Sequence, residues 1–249
     1  MLSLNPTALI NRQDACLQAV KKLRVAMITN IPAPYRQPIY ALLAQEFDLD
    51  FLAVYCCGRE PDREWNLSDA SFAQTFLKGS FVSYRGRYIH INPDIWSVLG
   101  SFKPDIVVTT GFNPTHLMAY AWARLHAARH VTMTDGTLES EAKLSTLHRW
   151  IRRYVYANTS AFIGASDGTM RLYRSYGIDS SVTFKSHLCA DNALFFNAPP
   201  QPKVYDFMFC GRFEAVKNPF FALDVARAVA LRLGRRVSIV FVGSGGLEG

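Results

Sequence analysis

Short apolar runs closed by proline, glycine or asparagine alternate with amphipathic stretches along most of the chain. Val25-Ala26-Met27-Ile28-Thr29 stops at Asn30-Ile31-Pro32-Ala33-Pro34. A brief apolar run ended by prolines reads as a parallel strand buried on both faces. From Tyr35 the period turns helical, with Ile39, Leu42, Leu43 and Phe47 at three- and four-residue steps. Residues 49–55 give the next strand. Residues 58–90 are irregular, apart from a strand at 81–84. A helix follows over 93–102 and a strand over 106–110. Asn113 as N-cap with Pro114 at the first helical position then opens a helix running to about residue 128. The pattern continues with a strand at 130–134, one long helix at 139–157, a strand at 161–164, a helix from the Ser166 cap to Gly177, and extended chain at 182–185.

Such alternation over residues 24–188 predicts an α/β architecture, a doubly wound parallel sheet with helices on both faces. Residues 1–20 read as a leader and 21–196 as a first Rossmann-like domain. Residues 197–203, with Pro199, Pro200 and Pro202, form a stiff linker. A second domain begins at 204 with a strand at 205–210, a helix at 219–233 and a strand at 237–242, closed by Gly243-Ser244-Gly245-Gly246. About fifty residues do not cover both faces of such a sheet. The expectation is therefore an incomplete second domain and a gene that continues for roughly another hundred residues.

Composition narrows the class. Hydrophobic residues make up 49% and charged residues 19%, which excludes disorder, collagen and coiled coil. The excess of 27 Lys and Arg over 20 Asp and Glu gives +7, favouring an anionic partner. Charge alone leaves nucleic acid, a membrane surface and a phosphorylated small molecule open. The five cysteines Cys16, Cys56, Cys57, Cys189 and Cys210 show no C-x-x-C spacing, so neither a disulfide framework nor a zinc site is expected. A reducing cytosol is the natural compartment, with placement at most on the inner membrane face. No run reaches the ~18 apolar residues of a spanning helix.

The sharpest chemical feature is Phe209-Cys210-Gly211-Arg212-Phe213-Glu214-Ala215-Val216-Lys217-Asn218-Pro219. A strand ends in Gly211 and Arg212, and a loop carries Lys217 to a helix capped by Asn218. The free N–H groups and dipole of a helix N-terminus already favour an anion. Two added cations make a clamp suited to a diphosphate. The competing reading is a pair of solvated loop cations.

These residues, with Val242-Gly243-Ser244-Gly245 after the next strand, resemble the donor-binding domain of family-4 glycosyltransferases. Residues 24–38, Lys103-Pro104-Asp105-Ile106-Val107-Val108 and the stretch Asp191 to Phe195 are similar to polysaccharide-assembly members. The resemblance spans about 22–247. It implies the GT-B fold, two Rossmann-like doubly wound domains facing across a cleft, with the second incomplete in this chain. It also implies retaining transfer of a sugar from a nucleotide-diphosphate sugar to a glycan or lipid-linked acceptor in cell-surface polysaccharide synthesis. No cofactor and no metal would be required. Gly211, Arg212, Lys217 and Asn218 would hold the donor, with Arg212 and Lys217 stabilising the departing diphosphate. The family's pair of glutamates seven residues apart is absent, because Glu248 falls too early. This 249-residue chain is therefore expected to transfer no sugar by itself.

On the acceptor side the resemblance points to loops at the carboxyl ends of strands, where open α/β sheets bind ligands. They carry Tyr35 and Arg36, Asn113, Asp135 and Glu139, and His116 in the first turn of its helix as a catalytic or acceptor-orienting group. His116 could equally be a helix-face histidine bonded to a neighbour, and Asp135 a cap for its own turn. His90, His126, His130, His148 and His187 read as structural or exposed. Asp48-Leu49-Asp50 matches a metal-binding pattern but reads as a solvated turn. In residues 144–156, Arg149, Arg152 and Arg153 lie beside Trp150 and Tyr154, a composition suited to an anionic bilayer, with Leu144, Leu147, Ile151 and Val155 as the buried stripe. A nucleotide-sugar epimerase or hydrolase of the same fold and a non-catalytic nucleotide-binding module are the alternatives. Nucleic acid is not expected as a partner, since RNA binding calls for exposed aromatics among basic residues on strands.

Overall fold

The computed structural model describes residues 22–46, 48–63, 69–84, 87–196, 199 and 202–248. The expected leader, Phe47 and much of the expected linker lie outside them. Two compact units divide the chain, Met1–Asp191 and Asn192–Gly249.

The first unit is built on β1 (Leu23–Thr29), β2 (Leu49–Tyr55), β3 (Gln74–Phe76), β6 (Ile106–Thr109), β7 (Arg129–Thr134), β8 (Ala161–Gly164) and β9 (Thr183–Lys185). They form one sheet in the order β3-β2-β1-β6-β7-β8-β9, and every pairing is parallel. A separate antiparallel hairpin joins β4 (Ser80–Tyr84) to β5 (Arg87–Ile91). Ala26 and Ile28 of β1 pack with Ile95 and Leu99 of α2 (Ile95–Phe102) and with Ala119, Trp122 and Ala123 of α3 (Pro114–Leu125). Met27 instead joins Phe51, Ala53 and Tyr55 of β2 and Tyr40 of α1 (Gln37–Glu46). Alternate β1 residues thus feed two separate cores. The two chain directions explain why. The step from β1 to β2 runs one way along the sheet and the step from β6 to β7 the other, so right-handed crossovers place α1 and α3 on opposite faces.

Three departures from the sequence expectation have local causes. In α1 the fully buried residue is Tyr40, whose ring lies 5.4 Å from Phe51 and meets Phe72 edge-on at 5.8 Å, with Leu43 packed beside it as expected, while Leu42 is 50% exposed. The large ring has more apolar surface to bury than the leucine and sets the helix phase. The expected long helix over 139–157 is two helices, α4 (Leu138–Ala142) and α5 (Thr146–Tyr156). Between them Ser145 turns extended, and its hydroxyl accepts from the His148 N–H as an N-cap. The buried side of α5 is also rotated from the expected stripe, with Val155 and Tyr156 buried and Leu147 64% exposed. Arg152 accounts for the rotation. Its guanidinium bonds the buried Glu141 carboxylate at 2.6 Å and lies 4.6 Å over the Phe112 ring, so that row of the helix faces inward. Behind it, Tyr156 meets Phe162 and Tyr173 of α6 (Asp167–Ser175) edge-on.

The second unit begins with a short helix, α7 (Ala193–Phe196). Its β10 (Phe207–Cys210) and β11 (Ile239–Val242) pair in parallel, linked through α8 (Pro219–Leu233). Asp206 braces the strand starts, accepting from the Ser238 N–H at 2.8 Å and pairing with Arg235 at 2.9 Å. Along α8 only Pro219 and Ala226 are buried, and Phe220 and Phe221 stay exposed.

His130 on β7 sits wholly inside the first unit. The Thr159 hydroxyl donates to the Val155 carbonyl, so toward His130 it can only accept, and Nδ1 of the ring carries the proton at 2.8 Å. Nε2 then accepts from the Thr109 hydroxyl at 3.0 Å, with the Tyr120 ring edge-on at 4.9 Å. Burial lowers the imidazole pKa to about 4. The folded state therefore binds fewer protons than the unfolded chain. The stabilisation is present above the unfolded value near 6.5 and is lost as pH falls from there through 4. The whole window is worth about 3 kcal/mol. Urea unfolding at pH 7.5 and 4.5 should show a stability loss that shrinks in His130→Gln, and an equal loss in both proteins contradicts the neutral, buried state.

Candidate functional site

Strand order reverses between β1 and β6, the position where open α/β sheets form a crevice at their carboxyl edge. Asn30 leaves β1 at this point, and Asn113 caps α3 directly after β6. Their side chains meet. The His116 backbone N–H, which can only donate, bonds Asn113 Oδ1 at 3.3 Å. Asn113 therefore presents Nδ2 to Asn30, donating to its Oδ1 at 2.8 Å. The same Oδ1 lies 3.0 Å from His116 Nε2, so that nitrogen must donate too. His116 is thereby fixed as the Nε2–H form, and its buried Nδ1 keeps a lone pair with no hydrogen-bond partner. Burial, reinforced by His90 and His130, lowers its pKa to about 3.

The ring is 1% exposed, so His116 lies beneath the edge and not on its surface. It stays neutral at ordinary pH. Cys56, at the end of β2, places its sulfur 4.0 Å from His116 Nε2, and burial pushes the thiol up to about 12, which keeps it protonated. A second layer supports both. Asn92 donates to the Cys56 carbonyl at 3.0 Å and accepts from the Thr115 hydroxyl at 2.8 Å, while His90 bonds Glu60 at 2.9 Å. Sequence reasoning missed Asn30, Asn92 and Cys56. Only Asn30 carried a signal, as the polar residue that ends an apolar strand before a proline-rich turn.

The other edge residues sit in separate loops. Tyr35 and Arg36 lie on a 3-10 turn, Pro34–Arg36, and Arg36 reaches Met133 of β7 with Nη1 at 3.6 Å from the sulfur. Asp135 is exposed and caps nothing, because Thr137 and Ser140 form the capping box of α4. Glu139 follows on the first turn, its exposed carboxyl held below the usual range by the Thr137 hydroxyl. Asp167 pairs with Lys185 at 2.9 Å across the ends of β8 and β9. Asp50 lies at the opposite end of β2, where Arg24 takes its carboxylate at 2.9 Å. Trp150 and Tyr154 are exposed beside arginines on a helix.

In the second unit, the loops after β10 and β11 run side by side. The Gly211 N–H donates to the Val242 carbonyl at 3.0 Å, and the Phe213 N–H to the Ser244 carbonyl at 2.8 Å. Side chains are excluded at this contact. A Cβ on Gly243, which has φ +145°, would fall 2.0 Å from the Gly211 carbonyl oxygen, and one on Gly245 would fall 2.6 Å from that of Phe213. Arg212 extends from the middle of this ribbon and pairs with Glu214 at 2.8 Å. Lys217 ends the 3-10 turn Ala215–Lys217. Asn218, with φ 49°, caps α8 by accepting from the Phe221 N–H. Gly211, Arg212, Lys217 and Asn218 thus stand on one continuous loop ahead of a helix N-terminus. Gly243→Ala should force the two loops apart. Hydrogen exchange should then accelerate at the Gly211 and Phe213 amides while amides of the first unit keep their rates, and unchanged protection at those two positions contradicts the packing.

Comparison with known proteins gives this arrangement a context. Among solved structures the chain is similar to Anabaena HepE, crystallised with UDP and glucose, at TM-score 0.58 and 10% identity over 89% of this chain and 69% of that one. It is similar to a glycosyltransferase from Rickettsia africae at TM-score 0.53 and 13% identity over 90% and 69%. A UDP-N-acetylglucosamine 2-epimerase matches at TM-score 0.53 and 12% identity over 89% and 63%. The chain therefore spans 63–69% of the length of these structures, and the likeness shows the GT-B fold. A search of curated proteins found no match. The glycosyl transferase 4-like domain family matches residues 24–184, from the start of β1 to the middle of β9. By that match, over most of its length, the chain belongs to the glycosyl transferase 4-like family.

Proposed function

We propose that this chain is part of a retaining glycosyltransferase that moves a sugar from a nucleoside-diphosphate sugar to a glycan or lipid-linked acceptor in cell-surface polysaccharide synthesis. The observation that carries the reading is the loop pair of the second unit. A ribbon closed by the close approach of Gly243 and Gly245 holds Arg212 and leads through Lys217 to the N-terminus of α8. This concentrates two cations and oriented N–H groups where a diphosphate can be gripped. HepE, of the same fold, is seen with UDP, which makes UDP the first nucleotide to test.

In the proposed step, the bond from the anomeric carbon to the diphosphate oxygen breaks and its electron pair passes to the diphosphate. The acceptor hydroxyl oxygen bonds to that carbon, and its proton passes to the departing diphosphate. Arg212 and Lys217 neutralise the charge that develops on the leaving group. Tyr35, Arg36, Asp135 and Glu139, at the carboxyl edge of the first unit, are the groups proposed to receive the acceptor. His116 has a proton affinity too low for a general base near neutral pH. Its proposed role is positional, holding Asn30 and Asn113 at the strand switch point.

The Arg212–Glu214 pair does not block the grip. A partly exposed ion pair is worth ~0–1 kcal/mol, against ~1.5–3 kcal/mol for a charged hydrogen bond to phosphate. Arg212 therefore exchanges Glu214 for the diphosphate. Isothermal titration should show Arg212→Ala and Lys217→Ala each weakening UDP binding roughly ten- to a hundredfold. Glu214→Gln should bind at least as tightly as the unaltered protein. Equal affinity in all four proteins contradicts the clamp. An epimerase is the second reading, favoured by the likeness to the UDP-N-acetylglucosamine 2-epimerase structure. Isomerisation of a UDP-sugar without any acceptor would decide for it.

A further inference from the structure

We infer that the outward face of α5 is a docking surface for an anionic lipid bilayer, a property separate from the donor grip. Three observations meet on this helix. First, its exposed side carries Leu147, Trp150 and Tyr154, each more than half exposed, and the Trp150 and Tyr154 rings stack 6.1 Å apart with planes 14° from parallel. Second, Arg149 and Arg153 stand on the adjoining flank, where with Thr146, Trp150, Ser175 and Tyr176 they line a groove of about 460 Å³, whose one carboxylate, Glu141, is paired with Arg152. Third, α5 holds no acidic residue of its own, and its third arginine, Arg152, is turned inward to Glu141. The outward charge of α5 is therefore positive and lies directly beside an aromatic and aliphatic strip.

A merely solvated face gives no reason to expose an indole, a phenol and a leucine side by side. A free phosphorylated solute could use the arginine groove but would leave those three side chains in water. At the surface of an anionic bilayer both halves are satisfied. Phosphates meet the guanidinium pair, and Trp150, Tyr154 and Leu147 enter the interfacial layer, where aromatic rings with one polar end are favoured. Tyr154 also meets Tyr120 of α3 edge-on, and α3 ends in exposed Arg124 and Leu125, which repeats the same pairing of cation and apolar side chain. No helix of the described residues is long and apolar enough to cross a membrane, so the contact is peripheral.

The test is sedimentation of the full chain with vesicles of phosphatidylcholine alone and of phosphatidylcholine with about one-third phosphatidylglycerol, at low and high salt. The inference expects binding to the anionic vesicles only, weakened by salt. Two exposed-residue variants should each reduce it at least about tenfold, Arg149→Glu with Arg153→Glu by reversing charge and Leu147→Ser with Trp150→Ser by removing the strip. Circular dichroism confirms that each variant is folded. Either of three results overturns the inference: no difference between the two vesicles, undiminished binding by both folded variants, or a self-association of the chain, seen by sedimentation velocity, that the Trp150 variant abolishes while vesicle binding persists. Competition by inorganic phosphate that leaves no vesicle binding would assign the groove to a soluble anion instead.

Discussion

The carboxyl edge of the first unit depends on one shared acceptor, Asn30 Oδ1, which receives protons from Asn113 and from His116. The constraint begins at a backbone N–H, whose role cannot invert, and passes through two amides to an imidazole. Each partner leaves the next only one orientation. The network is half-buried and ends on the buried His116, and an unmatched buried polar group costs ~1–3 kcal/mol, so an inverted amide would be penalised at several atoms together. Three segments distant in sequence are tied by it: the end of β1, the cap of α3 and, through Cys56 and Asn92, the end of β2. The edge loops with Tyr35 and Arg36 depart from this fixed point.

The two units build the loops at their strand ends differently. In the first, side chains do the holding, and the sheet is covered on both faces by helices whose directions follow from the reversal in strand order. In the second, backbone does it. Gly243 and Gly245 let two loops approach so closely that no side chain fits between them, and this leaves Arg212 and Lys217 to supply the charge. The proposed division of labour matches the chemistry. An acceptor is recognised by varied polar groups on separate loops, whereas a diphosphate needs N–H groups and cations and little else.

Much of this plan was legible in the residues themselves. Apolar runs with prolines behind them marked β1 and β6, and Asn113-Pro114 marked the start of α3, because caps and proline act within a few residues. The start of α8 was legible for the same reason, from Asn218 and Pro219. What sequence could not reveal was long-range. Gln74-Thr75-Phe76 is a strand only because β2 lies beside it, and Leu42 gave way to Tyr40 because two phenylalanines wait across the core. The α5 helix rotated because Arg152 found a buried Glu141. His116 was noticed for its chemistry, yet its state is set by Asn30, eighty-six residues away. A lone histidine near a helix start says nothing about which nitrogen will be protonated. A fixed donor several bonds distant decides that.

That protonation state gives the most direct test of the structure's central constraint. Long-range proton–nitrogen NMR correlation of the histidine side chains, recorded from pH 5 to 8, reports which ring nitrogen of His116 bears hydrogen. The structure requires a neutral ring with the proton on Nε2 throughout that range, and loss of the signal pattern in Asn30→Ala. A proton on Nδ1, or a ring that titrates near the ordinary value of about 6.5, would contradict the arrangement on which the edge is built.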